Sequence, residues 1–141
     1  MNIKEINKYL LNHYYKKDCK VYCESKLVDN KIYLSDLYAI FILNSDDCLL
    51  ELTRLKSVNL SNFTNGLDGY SDAIISNQII KDGKFNLVKI EMIDSDKSCY
   101  INERYIKLLN NCNVKIKDNI SPVLFYLNDE LVGFVLPVKV F

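Results

Sequence analysis

The most restrictive feature of this sequence is an order of elements that occurs at both ends of the chain. Residues 3–16 carry apolar side chains at helical spacing, and Asn102 can cap a second helix that runs to about residue 112. Each predicted helix is followed by a strand and then by a hairpin. The first set of elements occupies residues 3–43, and the second occupies residues 102–140.

Two such halves predict an α+β fold in a single domain that spans residues 1–141. We expect antiparallel sheets that join around a shared core, with the two helices on one side. The chain has 141 residues, of which 49% are hydrophobic. This is enough apolar surface for one core that needs no disulfide bonds.

Between the two sets, one turn can be assigned and one stretch cannot. Asp82-Gly83 separates two apolar runs, residues 73–80 and 85–93, and this arrangement predicts a hairpin. Residues 49–55 fit either a strand or a helix, and residues 57–71 are typical of a polar connection. The sequence therefore leaves the structure of residues 44–72 open.

Charge and hydropathy argue against several classes of protein. Lys and Arg together number 18, as do Asp and Glu, so a general nucleic-acid-binding or polybasic membrane-binding protein is disfavoured. A local basic patch is still compatible with this balance. No stretch reaches the roughly 18 apolar residues of a membrane span, and the polar residues 1–5 are unlike a signal peptide. We therefore expect a cytoplasmic protein with no membrane partner.

The five cysteines predict neither disulfide bonds nor a metal site. They are odd in number and widely spread, and none forms a Cys-x-x-Cys motif. Cys19 and Cys23 could share one face of a strand and, with His13, form a metal cluster. Small, buried or half-buried thiols are the favoured interpretation. We expect no metal and no cofactor.

The sequence also lacks a recognisable set of catalytic residues. His13 is the one histidine, so a mechanism that pairs histidine with serine or cysteine would have to use this helical residue. Asp46-Asp47 and Asp94-Ser95-Asp96 fall in predicted turns, where aspartate is favoured for local hydrogen bonds. The glycines form no phosphate-binding fingerprint. We therefore expect a binding protein, not an enzyme.

Three motifs in the C-terminal segment, taken in order, resemble the bacterial β sliding clamp. Ile101-Asn102-Glu103-Arg104-Tyr105-Ile106 is similar to the F-N-x-R-Y-L that opens the final helix of that family. Ser121-Pro122-Val123-Leu124-Phe125 is similar to its S-P-V-L-I strand, and Leu136-Pro137-Val138-Lys139-Val140 is similar to its C-terminal M-P-M-R-L. The resemblance covers about 40 residues, and the N-terminal half matches in element order and loosely at residues 34–39.

The resemblance implies contact with the backbone of duplex DNA. In the family, helices line a ring and contact phosphates through scattered Lys and Arg side chains, without reading bases. Ordinary solvated helix faces are the alternative interpretation of such residues. The matching candidates are Lys4 and Lys8 on the first helix, followed by Lys16 and Lys17, and Arg104 and Lys107 on the second.

The resemblance also implies a hydrophobic pocket that binds short linear peptides of replication proteins. A clamp subunit has three such domains and its pocket lies between two of them, so one domain lacks a pocket wall unless it self-associates. A ring would need about six copies held by strand pairing. Edge-strand and core positions are the alternative interpretation, and Lys139 and Phe141 depart from the family pattern. The counterparts of the pocket residues are Ile120, Pro122, Leu136, Pro137 and Val138.

These observations predict a non-enzymatic, sliding-clamp-like protein that binds DNA or replication proteins, as a ring oligomer or as a mimic of a clamp. The abundance of Lys, Asn, Ile and Tyr is typical of an AT-rich genome and favours a phage or mobile-element source. The alternative function is an inhibitor or regulatory module that uses the clamp fold to bind an unrelated protein.

Overall fold

The chain forms two compact units. The N-terminal unit comprises residues 2–66, and the C-terminal unit comprises residues 67–141 together with Met1. Each unit contains one α-helix and several β-strands. The computed structural model describes residues 1–18, 20–24, 29–60 and 66–140.

The N-terminal unit begins with helix α1 (Ile3–Tyr14). The side chain of Asn2 accepts a hydrogen bond from a backbone amide of the first turn and so caps the helix. Ile6 and Leu10 lie one turn apart on the same face, and both are fully buried. The helix ends two residues before its predicted end, and the left-handed backbone of Asp18 (φ 66°) beyond it is incompatible with a longer helix.

Four strands pair in the N-terminal unit, in the order β4-β1-β2-β3. β1 and β4 are parallel, and the other two pairs are antiparallel. The prediction of a strand at residues 31–35 after a turn at residues 29–30 is confirmed. The strands are β1 (Tyr22–Glu24), β2 (Lys31–Ser35), β3 (Ala39–Asn44) and β4 (Lys56–Ser57).

A buried carboxylate holds the turn between β2 and β3. Asp36 is 1% exposed, and its Oδ1 accepts hydrogen bonds from the amides of Tyr38 at 2.9 Å and Ala39 at 2.8 Å. Its Oδ2 accepts a hydrogen bond from the hydroxyl of Tyr9 on α1 at 2.6 Å. The turn places Leu37 at φ 84°, so the predicted extended segment starts at Ala39 instead of Leu37.

The segment at residues 49–55 is neither a strand nor an α-helix. It contains a short 3-10 turn at Leu52–Arg54, and another 3-10 turn precedes it at Ser45–Asp47. The side chain of Asn7 on α1 anchors this region. Its Nδ2 donates to the carbonyl of Asp47 at 2.8 Å, and its Oδ1 accepts from the amide of Leu49 at 2.8 Å.

Six strands of the C-terminal unit pair in the order β10-β9-β8-β5-β6-β7, and all neighbours are antiparallel. The core of this unit includes the fully buried Ile90, Ile101, Leu109, Ile116 and Phe125. The elements are β5 (Ser71–Asp82), β6 (Phe85–Met92), β7 (Ser98–Asn102), α2 (Glu103–Leu108), β8 (Asn113–Ile116), β9 (Val123–Leu127) and β10 (Glu130–Val135).

Both hairpin turns predicted in this unit are present. In the first, Asp82 pairs with Phe85, so the two loop residues are Gly83 and Lys84 instead of Asp82-Gly83. Gly83 has φ 61°, a left-handed conformation that two-residue hairpin turns require and that glycine adopts without strain. In the second turn, at residues 128–129, both residues have positive φ angles, of 51° and 64°.

The second helix and the last strand are shorter than the sequence predicts. Asn102 caps α2 as expected, because its side chain accepts a hydrogen bond from the second helical amide. The helix ends at Leu108 instead of residue 112, since the backbone at Leu109 (φ −102°, ψ 40°) is no longer helical. β10 ends at Val135, and Pro137 has no amide hydrogen with which to continue the ladder.

The chain beyond β10 returns to the opposite edge of this six-stranded sheet. Val138 forms an isolated antiparallel bridge with Tyr100 on β7, and its amide donates to the Tyr100 carbonyl at 2.7 Å. The sheet is therefore curled, because the segment that follows β10 reaches β7, which is five strands away in this order.

The class of fold is a mixture of α-helix and β-sheet, as predicted. The order of helix, strand and hairpin is present twice, as α1, β1 and β2–β3 in one unit and as α2, β8 and β9–β10 in the other. The finer statement, a single clamp-like domain over residues 1–141 with both helices on one side, stays a prediction.

Candidate functional site

A hydrogen-bonded turn places an exposed apolar side chain at the surface of the C-terminal unit. Asp118 Oδ1 accepts hydrogen bonds from the amides of Ile120 at 2.9 Å and Ser121 at 2.6 Å, and Oδ2 accepts from the Ser121 hydroxyl at 3.0 Å. Local bonds of this kind fix the backbone of a turn. The side chain of Ile120 is 76% exposed. The turn therefore presents a large apolar group on a constrained backbone.

The hydrogen bonds of this turn favour the charged form of the Asp118 carboxyl group. Slight burial raises the pKa of this carboxyl group. The hydrogen bonds from Ser121 and Ile120 lower the pKa by a larger amount, so the net pKa lies below the usual value. A carboxyl group with a depressed pKa contributes its stabilisation above its unfolded-state pKa. This contribution is lost as the pH falls through the folded-state pKa.

The register of β9 and β10 brings two further predicted residues together. Val123 pairs with Val135, so Pro122 and Leu136 lie next to this pair at the same end of the hairpin. The carbonyl of Pro122 accepts a hydrogen bond from the hydroxyl of Tyr70 at 2.8 Å, which fixes the entrance of β9. Leu136 is 42% exposed.

The remaining two predicted residues, Pro137 and Val138, are half-buried and lie in the segment that bridges to β7. Hydrogen bonds made by Asp118, Tyr70 and Tyr100 hold the backbone of this region. Aliphatic side chains on a fixed backbone can anchor an apolar group of a partner at a low ordering cost. The name C-terminal apolar surface is used below for Ile120, Pro122, Leu136, Pro137 and Val138.

The basic residues predicted on α1 lie at the surface. Lys4 and Lys8 are both exposed and are one helical turn apart. The face that α1 buries carries Ile6 and Leu10 instead. This arrangement can place two positive charges along a row of phosphates, but it is equally the arrangement of a solvated helix face.

The basic residues predicted on α2 have partners within the C-terminal unit. The guanidinium carbon of Arg104 lies 4.9 Å from the centre of the Phe85 ring, a cation–π arrangement, and the Arg104 side chain is half-buried. The Lys107 ammonium lies 3.0 Å from a carboxylate oxygen of Glu103. An exposed pair of this kind is weak and leaves the lysine accessible. Lys107 is therefore the more available of the two charges.

The described thiols are buried or half-buried, as predicted. Cys23 and Cys99 are buried, whereas Cys48 and Cys112 are half-buried. Burial, and to a smaller degree the Asp118 carboxylate, raise the pKa of the Cys99 thiol to about 12. Cys99 is therefore a poor nucleophile at neutral pH.

The metal-cluster alternative involves Cys19, which lies outside the described residues, as does Phe141. Among the residues that are described, no group of three or more His, Cys, Asp or Glu side chains is placed to hold a metal ion. The His13 ring lies 5.8 Å from the ring of Tyr9, in a tilted aromatic contact.

Sequence reasoning missed a groove on the sheet of the C-terminal unit. Its lining includes Asp72 and Ile74 on β5, Lys115 on β8 and Tyr126 on β9. The Lys115 ammonium lies 4.0 Å from an Asp72 carboxylate oxygen and 5.2 Å from the centre of the Tyr126 ring. One sequence pattern indicates part of this groove: polar and apolar residues alternate on β8, which predicts that Lys115 lies on the solvent face.

Comparison of the chain with protein-family profiles, curated proteins and solved structures gives no match. The resemblance to the β sliding clamp thus stays a prediction that rests on the three motifs and on the order of the elements. No helix in the described part of the chain has the length and apolar character needed to cross a membrane.

Proposed function

We propose that this chain is a non-enzymatic, sliding-clamp-like binding protein whose C-terminal apolar surface captures short linear peptides of replication proteins. One observation carries the proposal. Ile120 and Leu136 are 76% and 42% exposed, although hydrogen bonds hold the backbone close to each of them, at Ile120 and Ser121 and at Val138. Exposed aliphatic groups on a fixed backbone suit an anchor site better than a mobile loop does.

The size of the effect can be estimated from the area that a partner would cover. Full burial of a leucine or isoleucine side chain stabilises a complex by about 1.5–3 kcal/mol. Placing a carboxylate at such a contact reverses this contribution, because a buried charge without a partner is unfavourable. A single charged substitution should therefore remove detectable binding of a short peptide.

We expect Leu136→Glu to weaken peptide binding by at least about 30-fold, which corresponds to about 2 kcal/mol. Fluorescence anisotropy with labelled peptides of about ten residues, each carrying two adjacent large apolar side chains, measures this change. Circular dichroism checks that the variant is folded. Ile93→Glu is the matched control, because Ile93 is 58% exposed and lies in the turn after β6, outside the C-terminal apolar surface.

Equal binding by wild type and Leu136→Glu would contradict this assignment, and so would an equal loss in Ile93→Glu. If no peptide in the panel binds to the wild-type protein, the peptide-capture proposal fails. The alternative, an inhibitor or regulatory module directed at an unrelated protein, is then the better account.

Contact with the backbone of duplex DNA is a second candidate function, and Lys4 and Lys8 on α1 support it. Both side chains are exposed, and their spacing of one turn places them on one face of the helix. The support from α2 is weaker, since Arg104 packs against Phe85 and Lys107 pairs with Glu103. We therefore expect α1 to dominate any DNA contact.

If α1 contacts phosphates, the double substitution Lys4→Glu with Lys8→Glu removes two contacts. The slope of the logarithm of the binding constant against the logarithm of salt concentration should then become less steep by about 1.8. Fluorescence anisotropy with a labelled duplex of random sequence at several salt concentrations measures the slope. Lys84→Glu with Lys97→Glu is the matched control, because both lysines are exposed in turns and the change in net charge is the same.

The same change of slope in both double variants would mean that net charge alone governs binding. An unchanged slope in the α1 variant would mean that Lys4 and Lys8 are solvent-exposed residues that make no contact with DNA.

A further inference from the structure

Most of one edge of β5 is uncovered. β5 pairs with β6 along both of its ends, but on its other side β8 pairs with residues 71–73 alone. Among the described residues, no strand pairs with β5 beyond Ala73 on the β8 side. Residues 74–82 are called the open edge below. Unpaired backbone donors and acceptors along a strand edge are a template for another strand, and within this edge the Gln78 amide already donates to the Ser76 hydroxyl.

The side chains of the open edge are unusually apolar for a solvent-exposed strand. Four isoleucines are substantially exposed, with Ile74 at 51%, Ile75 at 38%, Ile79 at 55% and Ile80 at 36%. Residues 74–80 contain no charged side chain and no proline. Such segments combine high strand propensity with low charge, so that water solvates them poorly.

The isoleucines occupy both faces of the strand. On one face, Ile75 and Ile79 lie opposite the buried Ile90 and Val88, and on the other face Ile80 lies opposite the buried Leu87. Ile74 and Ile80 point to the other face, because alternate residues of a strand point in opposite directions. A strand added beside β5 would cover apolar area on both faces at once.

We propose that the open edge pairs antiparallel with the open edge of a second copy of this chain and forms a two-fold dimer. Because β8 blocks the edge as far as Ala73, residues 74–82 are available, and Gln78 is the midpoint of this range. A two-fold axis near Gln78 lets each copy use the whole open edge without displacing β8. It places Ile79 opposite Asn77 of the other copy, so that the two Ile79 side chains are diagonal neighbours across the axis.

Charge favours this arrangement. One end of β5 carries Asp72, whose carboxylate also lies 4.0 Å from the Lys115 ammonium, and the turn at the other end carries Lys81, Asp82 and Lys84, with a net positive charge. Antiparallel pairing about Gln78 brings Lys84 of one copy towards Asp72 of the other. A parallel arrangement would place like charges together.

The structure also limits growth beyond two copies. A two-fold contact uses the same surface on both partners, so a third copy cannot pair with residues 74–82 of either one. The register of β5 and β6 shifts between Ile75 and Ile79, and the Gln78 amide donates to the Ser76 hydroxyl at 3.1 Å. Bulges of this kind increase local twist and oppose the stacking of flat strands into fibres. The proposed dimer differs from a head-to-tail ring and does not depend on peptide or DNA binding.

The dissociation constant of the dimer is measured by analytical ultracentrifugation of the wild-type chain over a wide range of concentrations. Ile79→Lys should raise it at least about 30-fold, since edge lysines oppose strand pairing and the two like charges would be diagonal neighbours across the axis. Ile93→Lys, at an exposed isoleucine outside the edge, should leave it unchanged. Asn77→Lys is a second edge variant that removes no apolar contact, so it keeps the test valid if Ile79→Lys is unstable.

Hydrogen exchange gives an independent readout. Protection of amides in residues 74–82 should rise with protein concentration, whereas protection of β7 amides should not. A strict monomer at all concentrations overturns the proposal. So does a closed ring of about six copies, or a dimer that neither edge variant weakens.

Discussion

Replacing Asp36 by alanine should lower the free energy of unfolding by about 3–5 kcal/mol. The substitution removes the acceptors of three hydrogen bonds, from the amides of Tyr38 and Ala39 and from the hydroxyl of Tyr9. The Asp36 side chain is 1% exposed, so water does not readily replace the lost carboxylate. Each buried donor left without an acceptor costs about 1–3 kcal/mol.

Two milder variants at this network separate its parts. Asp36→Asn keeps an oxygen that can accept from Tyr38 and Ala39, so it should cost less than Asp36→Ala. Tyr9→Phe removes one hydrogen bond and should cost about 1 kcal/mol. Urea unfolding followed by circular dichroism measures all three variants. A loss below about 1 kcal/mol in Asp36→Ala would mean that the turn stands without its carboxylate.

The second large effect is expected at Phe125 in the core of the C-terminal unit. Its side chain is fully buried, and in the register of the sheet it lies between Val114 on β8 and Gly133 on β10. Phe125→Ala should cost about 3–5 kcal/mol, because it removes buried apolar area and leaves a cavity. Gly133 has no side chain that could fill this space.

The matched control for Phe125→Ala is Ile120→Ala, a truncation near the start of the same hairpin. Ile120 is 76% exposed, so its truncation should change the free energy of unfolding by less than about 0.5 kcal/mol. Both variants are compared by urea unfolding. Similar losses in the two variants would contradict the burial pattern described for β9. Although Ile120→Ala should leave stability almost unchanged, it should weaken peptide binding, because it removes an apolar group of the C-terminal apolar surface.

The strands that could be predicted from the sequence are those bounded by residues with strong turn preferences. β2 follows Asp29 and Asn30, and β9 is predicted with correct bounds between Pro122 and Asn128. Ends that depend on tertiary packing were predicted less well. Leu109 continues the apolar period of α2, but its side chain is fully buried on a backbone that has already left the helix. Periodicity alone does not separate these cases.

In the candidate site, too, local motifs could be predicted from the sequence, whereas tertiary contacts could not. The motifs pointed to Pro122 and Leu136, and the β9–β10 register brings these two residues to one end of the hairpin. The hydrogen bond from Tyr70 to Pro122 spans 52 residues, and no local pattern predicts it. The packing of Arg104 on Phe85 is likewise a tertiary contact, and the sequence, which predicts Arg104 as a DNA-binding candidate, gives no sign of it.

The bridge between Val138 and Tyr100 has a consequence for the order of folding. It joins residues 38 positions apart and completes the curled sheet of the C-terminal unit, so β7 cannot gain this neighbour until residue 138 has been synthesised. Closing a contact over such a separation also carries an entropic cost that local hairpins avoid. On the ribosome, the hairpins of this unit can form early, while the C-terminal apolar surface is assembled last.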